Sequence, residues 1–191
     1  MLDREIYFEC VRGPLFGGRM TQEQVDGQTV ILAVWDYNRD TTTQDLRHLA
    51  YMLATTFHET AMHMWPVTEY GSLNYLEEKD YYPYIGRGFV QLTWKDNYAK
   101  ASEQLGLIDN RDLVAFPELA LDSLIATRVM FKGMAQGWFT GKSLSEFFNS
   151  STDDPYNARK IINALDDAKL IEGYHDLFLE ALEAASIAPA E

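Results

Sequence analysis

The stretch LATTFHETAMHMW, Leu53–Trp65, decides how this chain is read. It holds a His-Glu pair, His58 and Glu59, and a second histidine, His63. A zinc-protease motif sets two histidines four apart on one helical face. His58 and His63 are five apart, which turns them roughly 140° from each other at about 100° per residue. That spacing argues against a shared metal. The single cysteine, Cys10, removes a site built on several thiolates as well. No cofactor or metal is expected.

Acid–base chemistry is the stronger reading, with Glu59 at its centre. Across the 21 residues from His48 to Thr68, Glu59 is the only Asp, Glu, Lys or Arg, where a chain that is 24% charged would carry about five. Leu46, Leu49, Ala50, Leu53, Phe57, Ala61 and Met64 recur at helical spacing, which predicts one long helix over Thr42–Trp65, stopped by Pro66. Most of that helix is built for burial, yet beyond Arg47 it carries one carboxylate. Glu59 lies off the Leu49–Leu53–Phe57 stripe and within two turns of the expected C-terminal end, where the helix dipole disfavours negative charge. A partly buried carboxyl at such a place is favoured in its protonated form, as a general acid requires. The bland alternative is a helix Glu facing solvent.

Composition sets the bounds. The 191 residues suit one domain with a real core. A formal charge of −13 disfavours nucleic acid, which needs a basic patch, and gives no attraction to anionic membranes or anionic wall polymers. No apolar run approaches the roughly 18 residues of a membrane span. The N-terminal MLDREIYFECVRG carries charges where an export signal would be apolar, and one cysteine fits a reducing compartment. A monomer, cytoplasmic as synthesised, is expected.

The chain reads as mainly α, with seven or so helices and one small β element. Asp3–Val11 is a short amphipathic stretch ended by RGPLFGG. Thr21–Gln24 is a capping box that opens a helix through Val30, Leu32, Ala33 and Trp35. Further helices are expected at Trp94–Leu105, Pro117–Gln136, Asp154–Ala164 and Asp167–Ala185, with a short one at Ser143–Phe148. GFVQLT, Gly88–Thr93, alternates as a strand does. Phe89, Gln91 and Thr93 then share an open face, and Val90, Leu92 and Trp94 face the core. Gly86 and Gly88 flank Arg87, which suggests a tight turn.

A second carboxylate, Glu69, follows Pro66 in WPVTEYGSLNYL. Glycoside hydrolysis commonly uses two such groups. Glu77, Glu78 and Asp80 fall in the run EEKD and read as solvated surface. Tyr75, Tyr81, Tyr82 and Tyr84 crowd the loop before Gly86. Aromatic and amide side chains suit a sugar cleft, since pyranose rings present apolar faces rimmed by hydroxyls. Tyrosine-rich loops also serve protein interfaces.

FHET on a helix, a second Glu on the next loop, GRGFVQLTWKDNY, and a late ARKIIN together resemble the glycoside hydrolase family 19 catalytic domain, in its bacterial and phage branch. The likeness runs over nearly the whole chain, with 1–185 as one catalytic domain and 186–191 as a frayed tail. It implies a lysozyme-like helical fold with a small β element beside a cleft. It implies hydrolysis of β-1,4 links between N-acetylated aminosugars, with inversion. By position, Glu59 matches the general acid and Glu69 the general base, and Thr93 helps hold the attacking water. His58, Tyr84, Gln91, Asn97 and Asn163 fall with the substrate-binding residues. Both asparagines also suit plain helix or turn capping.

The disulfides of plant members are absent, and Ala164 stands where the family often has Gly after the late Asn. The long loops of plant chitinases are missing too, which puts peptidoglycan ahead of chitin. An endolysin released through a separate membrane pore, such as a phage holin, fits this picture. A non-catalytic glycan-binding module on the same scaffold and a plain interaction protein are the rival readings.

Overall fold

The computed structural model describes residues 1–37 and 45–186. Its elements in chain order are α1 (Arg4–Phe16), α2 (Gln22–Tyr37), α3 (Leu46–Glu59), β1 (Val67–Thr68), α4 (Leu73–Glu77), β2 (Arg87–Gly88), α5 (Lys95–Leu105), α6 (Ser123–Gln136), α7 (Leu144–Phe147) and α8 (Ala168–Ser186). Short 3₁₀ turns at Asp109–Arg111, Pro117–Leu121 and Asn157–Ile161 complete them. The fold is mainly α, as the periodicity predicts. Residues 187–191, most of the expected tail, lie outside the described residues.

Helix α3 is the axis of the molecule. Every residue from Leu49 to Phe57 is buried, so it is not the one-sided helix its stripe suggests. A helix buried on all sides needs apolar or small residues all round, which accounts for the scarcity of charge around Glu59. Its main partner is α8, which also carries α1, while α2 packs on α6. Phe57 meets Tyr174 edge-on at 4.7 Å and Phe178 at 5.9 Å, both from α8.

The expected start of this helix at Thr42 lies outside the described residues. The described helix begins after Asp45, whose carboxylate accepts from Arg47 N–H. Its end is a correction. The helix stops at Glu59, well short of Trp65. Ala61 (φ 47°) and Met62 (φ 68°) are left-handed. Met62 N–H donates to Phe57 O at 2.7 Å, and Ala61 N–H to His58 O at 3.0 Å. These two bonds make a Schellman stop. Thr60 hydroxyl reinforces it by donating to Thr56 O and accepting from Met64 N–H. Glycine usually fills the left-handed position, and here alanine does, so the sequence carries no stop signal there. The turn leans on Gly27 of α2, where a Cβ would sit 1.7 Å from Met64 O.

The GFVQLT strand is also corrected. Only Arg87 and Gly88 pair with β1, antiparallel, with Val67 opposite Gly88 and Thr68 opposite Arg87. The chain then folds back on itself. Arg87 and Leu92 exchange both backbone bonds, at 3.1 and 2.8 Å, around a turn in which Gly88 (φ 87°) and Gln91 (φ 52°) are left-handed. The period of two is therefore lost. Phe89, Val90 and Leu92 are all buried, and Trp94, expected in the core, is 52% exposed.

Other boundaries shift for local reasons. Helix α1 runs through Pro14 to Phe16 and closes on left-handed Gly17. Asp122 divides the expected Pro117–Gln136 helix by capping Leu124 and Ile125 N–H. Asp154–Ala164 is a 3₁₀ turn over Asn157–Ile161 rather than an α-helix. The Thr21 box forms, with Thr21 N–H on Gln24 and Gln24 N–H on the Thr21 hydroxyl.

Candidate active site

A cleft of about 330 Å³ opens beyond the end of α3. Glu59, Gln91, Thr93, Asn97 and Asn163 line it, together with Val90, Trp94, Phe139 and Ile162. Four separate segments supply these walls, so the cleft exists only in the folded chain.

Glu59 reaches it as the last helical residue of α3. Its side chain is 16% exposed, and Oε1 accepts from Arg159 Nη1 at 2.6 Å. The guanidinium is 4% exposed, and its Nε donates to Asp166 O at 3.0 Å. The 3₁₀ turn explains this inward course. Asp154 anchors its start by accepting from Asn157 N–H and Nδ2. Ala158 and Ile161 are buried, and Arg159 lies between them in sequence. The nearest charge to Glu59 is thus a cation, a contact that the helix alone does not announce.

The turn and the start of α5 form a hydrogen-bonded ladder along the opposite wall. Asn97 Nδ2 donates to Thr93 O at 2.8 Å, and Thr93 Oγ1 donates to Gln91 O at 2.8 Å. Gln91 Nε2 donates to Val67 O at 3.1 Å. A hydroxyl that has spent its hydrogen keeps its lone pairs, so Thr93 presents an acceptor to the cleft. Asn163 Oδ1 accepts from Ala164 N–H at 2.8 Å, and the residue is exposed.

Three expected site residues are not part of the cleft lining. Glu69 sits at the hairpin edge, where its N–H donates to Gly86 O at 2.7 Å. Tyr81 hydroxyl donates to its Oε1 at 2.7 Å, and Gly86 N–H to its Oε2 at 3.0 Å. Gln91 and Glu69 both pack close to Gly86, where a Cβ would lie 2.7 Å from Gln91 Oε1 and 3.4 Å from Glu69 Cβ. Glu69 therefore stands close to Gln91, which does line the cleft. Burial first, and the Glu69 carboxylate second, push the Tyr81 phenol up to about 12, so near neutral pH it remains a donor. His58 Nε2 lies 3.5 Å from Asp167 Oδ2. Tyr84 packs on Tyr98 and donates to Val114 O.

The sequence gives no site role to Arg159 or Trp94, and it offers Tyr81 only as one of four tyrosines in a loop. A lone Arg in ARKIIN carries no sign of its burial. Strand alternation assigns Trp94 to the core, although a glycine inside a strand pattern, here Gly88 at φ 87°, marks a break. Among the described residues no three His, Cys, Asp or Glu side chains group to hold a metal ion, and no helix is long and apolar enough to cross a membrane.

No protein-family model and no curated protein matches the chain. Solved structures do. A chitinase C from Streptomyces griseus HUT6037 aligns with a TM-score of 0.57 at 20% identity, over 97% of this chain and 76% of its own. A bacterial family 19 chitinase, described as differing from plant enzymes, aligns with a TM-score of 0.56 at 20% identity, over 100% and 97%. A glutamate-to-glutamine mutant of chitinase C aligns with a TM-score of 0.54 at 19% identity, over 100% and 95%. The chain has the fold of the bacterial family 19 chitinases.

Proposed function

We propose that the protein is a glycoside hydrolase that cleaves β-1,4 links between N-acetylated aminosugars, with inversion. The observation that carries this reading is the position of Glu59. It is the only Asp, Glu, Lys or Arg from His48 to Thr68, and it opens onto a cleft walled by amide, hydroxyl and aromatic groups. Its Oε1 is taken by Arg159, so Oε2 is the oxygen that carries the proton to the glycosidic oxygen. The C1–O bond breaks as that proton arrives, and a water attacks C1 from the other face. Glu69 takes the water's proton as general base, through lone pairs that Tyr81 and Gly86 leave open. Thr93 accepts the water's second hydrogen, which turns the oxygen lone pair towards C1. Gln91, Asn97 and Asn163 bind hydroxyl and acetamido groups. Inversion requires the two carboxyls to stand roughly 6.5–9.5 Å apart, with room for that water.

Peptidoglycan, expected from the short loops, is the first substrate reading, and an endolysin-like, bacteriolytic role would follow from it. Chitin is the second. It is favoured by the chitinases among the structural neighbours, and a neutral polymer suits a formal charge of −13. The test is to incubate the protein with purified peptidoglycan and with chitin oligomers. New reducing ends are then identified by mass spectrometry, and the first-formed anomer by NMR. An α anomer from one of the polymers is expected. A β anomer overturns the inverting mechanism, and no cleavage of either polymer overturns the reading.

A further inference from the structure

Trp94 combines three features that a packing residue does not need together. It lines the cleft with Glu59 and is 52% exposed. Its backbone is left-handed, at φ 74° and ψ 137°, where a bulky residue is a genuine outlier. The surroundings impose that conformation. Trp94 N–H donates to Tyr84 O at 2.9 Å, and its carbonyl accepts from Asn97 and Tyr98 N–H. Backbone strain of this kind gathers at functional sites. Third, the indole rests edge-on against Tyr81 at 5.1 Å between ring centroids. Tyr81 hydroxyl in turn holds Glu69 Oε1.

We propose that Trp94 is a sugar-stacking platform of this cleft, and that through Tyr81 it positions the stacked sugar and the Glu69 carboxylate as one unit. The inference rests on the hydrolase reading above and deepens it. The apolar face of an N-acetylated aminosugar would lie on the exposed indole, while Asn97 and Asn163 reach its polar rim. Tyr81 is a positioning residue. Its ring supports the platform and its hydroxyl orients the base.

The test uses the full chain and N-acetylglucosamine oligomers. Affinity is measured by calorimetry in a Glu59→Gln background and turnover in the active protein, with folding checked by circular dichroism. Trp94→Ala is expected to weaken binding about tenfold, the loss of one aromatic contact of about 1.4 kcal/mol. Trp94→Phe keeps a ring and should bind within about threefold of the parent. The chain has four tryptophans, and a ligand-induced fluorescence change should disappear in Trp94→Phe while binding persists. Tyr81→Phe should leave KM near its parent value and lower kcat, because the ring stays and the bond to Glu69 goes. Should Trp94→Ala fail to fold, the fluorescence of Trp94→Phe decides. Parent-like affinity in Trp94→Ala, or a fluorescence change that survives in Trp94→Phe, overturns the platform with the hydrolase reading intact. An unchanged kcat in Tyr81→Phe overturns the coupling. Absence of oligomer binding in the parent overturns the platform, and absence of cleavage of both chitin oligomers and peptidoglycan overturns the hydrolase reading as well.

Discussion

Arg159 and Glu59 stand 100 residues apart in sequence and 2.6 Å apart in the fold. The pair ties the 3₁₀ turn before α8 to the C-terminal end of α3. It leaves Glu59 with one oxygen engaged and one towards the cleft.

Removing the cation leaves a mostly buried carboxylate unpaired. Arg159→Met is expected to cost about 3 kcal/mol, the lower end for a broken buried pair, since Glu59 keeps some access to water. For a chain of this size that is a fall of roughly 6–12 °C in Tm. Scanning calorimetry checks it, and an unchanged Tm would show that the pair holds nothing together.

Glu59→Gln is expected to lower hydrolysis by ~10²–10⁴-fold, the usual range for a general acid. The amide still offers an oxygen to Arg159 but no charge. Stability should therefore fall by about 1–2 kcal/mol, the difference between a charged and a neutral hydrogen bond. The helix alone suggests a substitution without cost, and the ion pair changes that. Urea unfolding beside a reducing-end assay measures both effects. Retained activity in the folded variant removes Glu59 from the mechanism.

Thr93→Val keeps the β-branched shape and loses the hydroxyl. Turnover should drop while KM changes little, because a misdirected water affects the transition state more than the ground state. The variant also strips a donor from the Gln91 carbonyl, at about 1 kcal/mol of stability. A loss seen wholly in KM would mean that Thr93 holds sugar rather than water.

His175 makes stability depend on pH. Its ring lies stacked on Phe148, 5.3 Å between centroids, with Nε2 buried and without a partner. Burial lowers its pKa, and the Asp176 carboxylate at 3.2 Å opposes this only in part. The unfolded chain therefore binds the proton first. Its contribution is intact above about pH 6.5 and is lost as pH falls from there towards the folded value. Tm is expected to drop more between pH 8 and pH 5 in the parent than in His175→Phe. Equal drops would show that the ring is neutral to acid.

Much of the fold was legible because it rests on local rules. The capping box at Thr21 announces a helix start that forms, and apolar spacing identifies α3. The ends were harder to read. Ala61 takes a left-handed conformation that alanine does not advertise, and Trp65 and Pro66 consequently lie beyond the helix. GFVQLT has the alternation of a strand, but Gly88 and Gln91 turn the backbone, and Phe89 and Val90 both go inside.

A mainly α domain around one helix, charge-poor from His48 onward except at Glu59, is legible in the sequence alone, because periodicity and charge depletion are properties of a local segment. The sequence also carries the polar side chains, Gln91, Thr93, Asn97 and Asn163, that share the cleft with Glu59. Which groups touch the two carboxyls is set by long-range packing. Arg159 on Glu59, and Tyr81 and Gly86 on Glu69, are contacts between segments 12 to 100 residues apart. Such contacts depend on how α3, the hairpin and the 3₁₀ turn pack against one another, and no local pattern encodes that packing. Trp94 belongs to the same class, because its exposure follows from a backbone turn held by the Tyr84 carbonyl and the first turn of α5.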